Sequence, residues 1–164
     1  MLQIVVFSDY QCPSCRYFHQ ILDSLEKLYP GQFRIVYKHF PLSTDCNPVL
    51  TKNIHPLSCL AAQAAEAAGK QGKFLEYQNE LFKNMYLDKD KTYFTLAKRL
   101  KLNLSEFKSG LSDPAIEQKI ARNIREGRDL NISGTPAVFI NQKQVSDIRL
   151  ESLEGLIKSI LKKR

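Results

Sequence analysis

The chain has 164 residues, of which 43% are hydrophobic and 25% charged, and its formal net charge is +7. This composition is typical of a globular domain and excludes disordered and low-complexity classes, and no apolar run reaches the ~20 residues that a membrane helix needs. The basic residues are spread along the chain except for the terminal run Lys162–Arg164, and no nucleic-acid-binding motif accompanies them. A solvated basic surface is therefore favoured over a nucleic-acid interface.

The N-terminal part of the chain predicts a strand, a helix and a second strand. Leu2–Phe7 contains the β-branched run that suits a buried strand. Apolar residues at three- and four-residue spacing then predict an amphipathic helix that begins at Pro13 and stops before Pro30. Phe33–Phe40 is the second predicted strand, and Pro41 ends it.

The middle of the chain is irregular at first and then helical. Leu42–Pro56 shows no regular period, whereas helical periodicity dominates Leu57–Leu130. We expect Ser105 to cap one short helix, with Glu106 in its first turn, and Asp113 to cap the last long helix. The predicted helices are Ser58–Ala68, Lys73–Met85, Thr92–Leu100, Ser105–Leu111 and a long one from Pro114.

The C-terminal part returns to strands and ends in a helix. Ala137–Ile140 predicts a strand, Asn141–Lys143 a turn, and Gln144–Val145 a second short strand. An amphipathic pattern from Leu150 to Leu161 predicts the closing helix. The order is strand, helix, strand, a long helical block, strand, strand and helix, which indicates the α/β class.

The residues Cys12-Pro13-Ser14-Cys15 form a C-x-x-C between the first strand and the first helix. Pro13 suits the first helical turn, because its missing N–H would have been unpaired there. Cys12 is then placed at the helix N-terminus, where free N–H groups and the helix dipole favour a thiolate. Since a thiolate is the reactive species in disulfide exchange, this pair predicts a redox-active dithiol.

Four motifs cover nearly the whole chain. Phe7–Cys15 holds the C-x-x-C, and Ile132–Asn141 holds Gly-Thr-Pro just before a predicted strand. Between them stand Tyr37–Leu42 and the matching pieces of His55–Phe82. A C-x-x-C alone would be weak evidence, because zinc knuckles share it. Together these motifs resemble the DsbA family of thiol-disulfide oxidoreductases.

The resemblance implies a thioredoxin fold with an inserted all-helical subdomain. The positions of Cys46 and Cys59 especially resemble the thioredoxin-like domains attached to bacterial relatives of vitamin K epoxide reductase. The implied division is a thioredoxin-like domain from residues 1–42 and 132–164, an inserted helical subdomain at 57–131, and an irregular connection at 43–56.

The resemblance also implies the roles of the site residues. Cys12 and Cys15 would be the catalytic pair, supported by Pro13 and Ser14. The Thr135–Pro136 bond would be cis and would face the C-x-x-C. The backbone of Thr135 would then be free to pair with an extended substrate, so Thr135 and Pro136 are the expected substrate-binding residues.

The chain departs from the family at two positions. Val6 stands where thioredoxins and several DsbA proteins carry a buried acid that moves protons to the second thiol. Either a water or a neighbour such as Asp9 would replace that acid, unless Asp9 is simply a surface turn residue. Ser14 stands where the strongest oxidants of the family carry a histidine, although its hydroxyl can still offer a hydrogen bond.

Cys46 and Cys59 form the other candidate pair. A structural disulfide between them would pin the irregular Leu42–Pro56 segment to the first inserted helix and would stabilise the fold by about 3 kcal/mol in the chain-entropy treatment. This interpretation is favoured over two alternatives, a second redox pair and a four-cysteine zinc site shared with Cys12 and Cys15.

The three histidines predict no metal site or cofactor. We expect His39 to pack near a loop at the end of a strand, His19 to lie on the surface of the first helix, and His55 to be a turn residue before Pro56. None has a convincing partner for metal binding or hydrolysis.

The leading functional hypothesis is an oxidase that exchanges its Cys12–Cys15 disulfide with substrate protein thiols. The alternatives are a disulfide reductase or isomerase, and a non-catalytic chaperone-like or metal-holding module. The implied partners are thiol-containing or unfolded proteins and a membrane quinone-linked protein resembling vitamin K epoxide reductase or DsbB. Four potentially paired cysteines favour a periplasmic or other extracytoplasmic location. Met1 beside a core strand is consistent with the removal of a leader or of another domain such as a membrane domain, and a cytosolic location is the alternative.

Overall fold

The computed structural model describes residues 1–84 and 91–162. Met85, the expected end of one helix, and the terminal pair Lys163 and Arg164 lie outside the described residues. The strands are β1 (Leu2–Ser8), β2 (Phe33–His39), β3 (Ala137–Ile140) and β4 (Lys143–Val145). The helices are α1 (Pro13–Leu28), α2 (Ser58–Gly69), α3 (Phe74–Lys83), α4 (Lys91–Arg99), α5 (Leu104–Leu111), α6 (Pro114–Asp129) and α7 (Leu150–Lys162).

The four strands form one mixed sheet in the order β2-β1-β3-β4. The central strand β1 pairs in parallel with β2, which α1 connects to it, and antiparallel with β3. The hairpin of β3 and β4 completes the sheet. The predicted α/β architecture, with two strand-containing halves and helices α2–α6 between them, is therefore confirmed.

Alternation along β1 divides the core into two layers, because successive side chains of a strand point to opposite faces. Leu2, Ile4 and Val6 pack with buried residues of α1 and α7. Phe7 faces the other way, and its ring lies 6.5 Å from that of Phe40 and 6.0 Å from that of Phe139. The helices between β2 and β3 cover this second face and share one core with it.

One of the two predicted N-cap residues is confirmed and the other is wrong. Asp113 caps α6 as predicted, and its carboxylate accepts a hydrogen bond from the backbone N–H of Ala115 at 2.8 Å. The expected cap Ser105 is wrong, because Asn103 caps α5 and its side-chain oxygen accepts from Ser105 N at 3.0 Å and Glu106 N at 3.1 Å. Asparagine is among the best N-caps, and from this position it reaches both amides of the first turn.

A buried polar cluster attaches the end of β2 to the helices. The ring Nε2 of His39 lies 2.8 Å from one carboxylate oxygen of Glu66, and Lys119 donates to the other oxygen at 2.7 Å. The backbone N–H of His39 donates to the side chain of Asn123 at 3.0 Å. His39 is therefore a core residue that joins β2 to α2 and α6, rather than one that packs at a loop. Within the described residues, none of the helices is both long enough and apolar enough to cross a bilayer.

We predict that Gly127→Ala in α6 destabilises the chain by about 1–3 kcal/mol, the usual range for overpacking. A Cβ at Gly127 would lie 2.6 Å from ring atoms of Phe40, which is held in the core. Urea unfolding measures the change. The matched control is Gly155→Ala in α7, where a Cβ meets nothing within 4 Å, so helix propensity should make it neutral or stabilising by up to about 1 kcal/mol. Equal effects of the two substitutions would contradict this packing account.

Candidate active site

The C-x-x-C lies where β1 passes into α1. Cys12 is the N-cap residue, with an extended backbone at φ −84° and ψ 118°, and Pro13 occupies the first turn of the helix. The backbone N–H of Cys12 donates to the carbonyl of Asp9 at 3.2 Å, and that of Arg16 donates to the carbonyl of Cys12 at 3.1 Å. Cys12 thus lies at the helix N-terminus, where the sequence placed it. Both thiols are free, so the structure is that of the dithiol form.

The two thiols differ sharply in acidity. The pKa of Cys12 falls from its usual value to about 5, chiefly because the Cys15 thiol donates a hydrogen bond to it. Burial opposes this shift, while the Thr135 side chain and the backbone N–H of Cys15 add to it. The helix terminus therefore contributes, but the neighbouring thiol contributes most.

Cys15 shifts in the opposite direction. It is 1% exposed, and burial together with the hydrogen bond to Cys12 and the charge of Cys12 raises its pKa well above the usual value. The Ser8 side chain offsets part of this rise. The backbone N–H of Asp9 donates to the Cys15 sulfur at 3.5 Å. Consequently the pair holds one thiolate, on Cys12, and one proton, on Cys15.

The Thr135–Pro136 segment lies directly against the dithiol. Its peptide bond is cis, the isomer that we expected. The Sγ of Cys12 lies 3.4 Å from the carbonyl oxygen of Thr135, although the two residues are 123 positions apart in the chain. The pairing of Ala137 with Phe7 anchors this segment next to the C-x-x-C. Pro13 and Ser14, the other expected site residues, are exposed on the first turn of α1.

Asp9 is a buried component of the site. It is 1% exposed, so the surface-turn interpretation is wrong. Its carboxylate accepts hydrogen bonds from the backbone N–H groups of Gln11 and Leu42, each at 2.6 Å. The bond to Gln11 spans two residues, a local pattern typical of aspartate in turns. An aspartate two residues before Gln11 is therefore the only local signal in the sequence that could have indicated a structural role for Asp9. Its contact with Leu42 joins residues 33 positions apart and could not be predicted locally.

His55 completes the surroundings of Asp9. Its Nδ1 lies 3.1 Å from Oδ2 of Asp9, and this contact raises the pKa of His55, against the effect of burial. The charge of Cys12 adds to the rise. His55 is therefore more than a turn residue, because it brings a titratable imidazole from the irregular connection to the carboxylate beside the dithiol.

The remaining cysteines form a disulfide. Cys46 and Cys59 are bonded, with Cα atoms 6.0 Å apart. The predicted pairing is present, and the zinc alternative is wrong because these sulfurs are already bonded to each other. The structural role of this bond, as opposed to that of a second redox pair, stays a prediction. Among residues 1–84 and 91–162, no group of three or more His, Cys, Asp or Glu side chains could hold a metal ion.

His19 is placed differently from the expectation. We expected a surface residue, but it is 8% exposed. Its Nε2 lies 2.6 Å from Oδ1 of Asn79, and its ring centroid lies 4.8 Å from that of Phe82. Side chains of α3 therefore bury His19 one turn beyond Cys15.

We predict that Cys12 alkylation by iodoacetamide follows a pKa of about 5, and that Cys15→Ala raises this pKa toward the ordinary thiol value of about 8.5. The reason is that the alanine variant lacks the donor that stabilises the thiolate. Alkylation rates measured against pH give both values. Cys15→Ser keeps a hydroxyl donor and should raise the pKa less; an unchanged pKa in Cys15→Ala would contradict the assignment of the main cause.

Comparison with known proteins agrees with this architecture. A family model described as "Thioredoxin" matches residues 2–159. The sequence is 30% identical over 158 residues, 95% of the chain, to a Na⁺/H⁺ antiporter NhaA 1 of Salinispora arenicola, but spans only 22% of that protein. It is 25% identical to a probable disulfide bond formation protein D of Bacillus cereus, covering 99% of this chain and 75% of that one.

A solved structure supports the same assignment of fold. The thiol-disulfide exchange protein alpha-DsbA2 from Wolbachia pipientis superposes with a TM-score of 0.77 at 20% identity, covering 97% of this chain and 81% of that one. The likeness to domains attached to vitamin K epoxide reductase relatives stays a prediction. Because the family model covers nearly the whole length and the helices lie between the two strand-containing halves, the chain belongs to the thioredoxin family, with the DsbA-like form of its fold.

Proposed function

We propose that this chain is a protein thiol-disulfide oxidoreductase that acts as an oxidase through Cys12 and Cys15. The observation that carries the proposal is the opposite shift of the two thiols, with the pKa of Cys12 lowered to about 5 and that of Cys15 raised. A low pKa makes Cys12 a good leaving group in exchange. The named similarities to a disulfide bond formation protein and a thiol-disulfide exchange protein support the same activity.

The proposed reaction starts from the Cys12–Cys15 disulfide. A substrate thiolate attacks Sγ of Cys12, the bond between the two cysteines breaks, and its electron pair passes to Sγ of Cys15, which takes up a proton. A second substrate thiolate then attacks the substrate sulfur of the mixed disulfide and expels Cys12 as a thiolate. Two substrate thiols are oxidised to one disulfide, and the disulfide of the chain is reduced to the dithiol.

The lowered pKa of Cys12 favours the oxidase direction. Cys12 titrates only in the dithiol form, and its pKa lies below the unfolded value of about 8.5. The resulting stabilisation is fully present above the unfolded pKa and is lost as the pH falls through about 5. At neutral pH much of it remains, so the folded dithiol is favoured. A chain with a stabilised dithiol form is the better oxidant.

Thiol-containing or unfolded proteins are the proposed substrates. The position of the Thr135 carbonyl, 3.4 Å from Sγ of Cys12, supports binding of an extended segment along Thr135 and Pro136 by strand addition. An extracytoplasmic location is supported by the Cys46–Cys59 disulfide, since such bonds persist in oxidising compartments. Reoxidation by a membrane quinone-linked partner is proposed from the family resemblance alone.

We predict that Cys12→Ser abolishes exchange and that Cys15→Ser accumulates mixed disulfides with substrates. Cys12 supplies the only low-pKa thiol of the pair, and without Cys15 the intermediate lacks its internal resolving thiol. Non-reducing electrophoresis after incubation with a reduced, unfolded protein detects the adducts, and the double variant serves as the control without either thiol. Normal turnover by Cys12→Ser would overturn the role of Cys12, and a lack of exchange by the unaltered chain would support the non-catalytic alternative instead.

We predict that the Cys12–Cys15 pair has a reduction potential well above the about −270 mV of thioredoxin, because the thiolate stabilises the dithiol form. Equilibration with glutathione buffers measures the potential, and formation of disulfides in reduced ribonuclease tests the direction directly. A thioredoxin-like potential with rapid reduction of insulin disulfides would favour the reductase alternative.

A further inference from the structure

Exchange at this site requires a proton to reach and leave Cys15. The sulfur is buried, and its raised pKa means that a thiolate there must be protonated promptly. Of the residues whose side chains surround it, Val6 and Phe18 are apolar and cannot carry a proton. A route from the solvent to Cys15 must therefore pass through other groups.

A small cavity lies beside Cys15. Its volume is about 10 Å³, roughly the space that one buried water needs. A buried water also needs two or more polar partners. The polar side chains that line this cavity are those of Ser8, Cys15, His19 and Tyr37. Both the size and the lining of the cavity therefore suit a single water.

His19 is the polar residue that separates this cavity from a larger groove. The groove has a volume of about 310 Å³ and runs between α1 and α3. His19 and Phe82 line both spaces, whereas Asn79 lines only the groove. A path from the groove to Cys15 thus crosses the imidazole ring.

The hydrogen bonding of His19 leaves one nitrogen available. The side-chain oxygen of Asn79 only accepts, so Nε2 of His19 carries the proton that is shared between them at 2.6 Å. In the neutral imidazole with this tautomer Nδ1 is the acceptor nitrogen, and it is buried with no hydrogen-bond partner among the residues that the structure describes. Asn79 lines only the groove and is bonded to Nε2, so Nδ1 is the ring nitrogen left to accept a hydrogen bond from a water in the cavity.

We propose that His19 moves the proton of Cys15 through one water in this cavity. The inference rests on the proposed exchange reaction. When Cys15 attacks Sγ of Cys12 in a mixed disulfide, its proton passes to the water and a proton of the water passes to Nδ1 of His19. The new bond joins the two cysteines, and the substrate thiolate leaves with the electron pair of the broken bond. In the oxidase direction the imidazolium returns the proton to Cys15.

Titratable groups surround His19 on three elements. Arg16 and Asp23 belong to its own helix, and Lys83 lies across the groove on α3. Tyr37 of β2 is the other titratable neighbour, with its ring centroid 6.5 Å away. The two cations and the carboxylate face the groove, so protons leaving His19 enter a charged, polar space. His19 itself touches neither the substrate nor the sulfur that reacts, and it acts on the reaction only through the water.

The test is a two-phase reaction of the reduced chain with an equal amount of dithiobis(nitrobenzoate). The first coloured thiolate is released when Cys12 attacks the reagent, and the second when Cys15 attacks the mixed disulfide. We expect His19→Phe, which keeps an aromatic ring but no base, to leave the first phase unchanged. The second phase should slow by about 100-fold at neutral pH, within the usual range for loss of a general base, and should recover as the pH rises and hydroxide takes the proton. Gln20→Ala, an exposed neighbour on the same groove, should change neither phase.

A second variant, His19→Ala, distinguishes a role of His19 in proton transfer from a role in packing alone. In His19→Ala, added imidazole should reach the vacated position through the groove and accelerate the second phase, which a merely structural side chain would not explain. An unchanged second phase in His19→Phe, or a slow second phase in His19→Ala that imidazole does not accelerate, would overturn the inference and leave the proposed function standing. Loss of the first phase in the unaltered chain would overturn the proposed function itself.

Discussion

The buried carboxylate of Asp9 is the interaction on which the site depends. It ties the turn before α1 to the chain after β2 through the backbone N–H groups of Gln11 and Leu42, and it contacts His55 from the irregular connection. The backbone of the same residue accepts from Cys12 and donates to the sulfur of Cys15. Three separate segments and both active-site cysteines are therefore held by one residue, and a buried polar side chain is tolerable there because donors surround it.

The two cysteines have different tasks: Cys12 ionises, and Cys15 keeps the proton that stabilises the Cys12 thiolate. Cys12 lies at the helix terminus, beside the Thr135 carbonyl, and ionises easily. Cys15 keeps its proton because burial and the neighbouring thiolate both disfavour a second charge. The proton of Cys15 is also the donor that stabilises Cys12, so the two acidities are coupled and neither cysteine can be understood alone.

Local patterns in the sequence were sufficient for most of the fold. The β-branched run Ile4–Val6, the Asp113 cap and Pro13 at the first turn all act through neighbours within four residues. Local patterns could not predict burial by distant segments of the chain. Asn79, 60 residues away, covers His19, and Leu42 and His55 enclose Asp9. Asn103 and Ser105 are both good caps two positions apart, and only the register of the first turn decides between them.

The sharing of one core by the sheet and helices α2–α6 limits how the chain could be shortened. Phe7, Phe40 and Phe139 lie in the same buried cluster as Tyr77, Leu81 and Phe107 from the helices. A minimal version that kept only the two strand-containing halves would present this aromatic face to water, and an exposed apolar surface of that kind drives association. The helical segment therefore covers the second face of the sheet, and its removal would expose the aromatic side chains that this cluster buries.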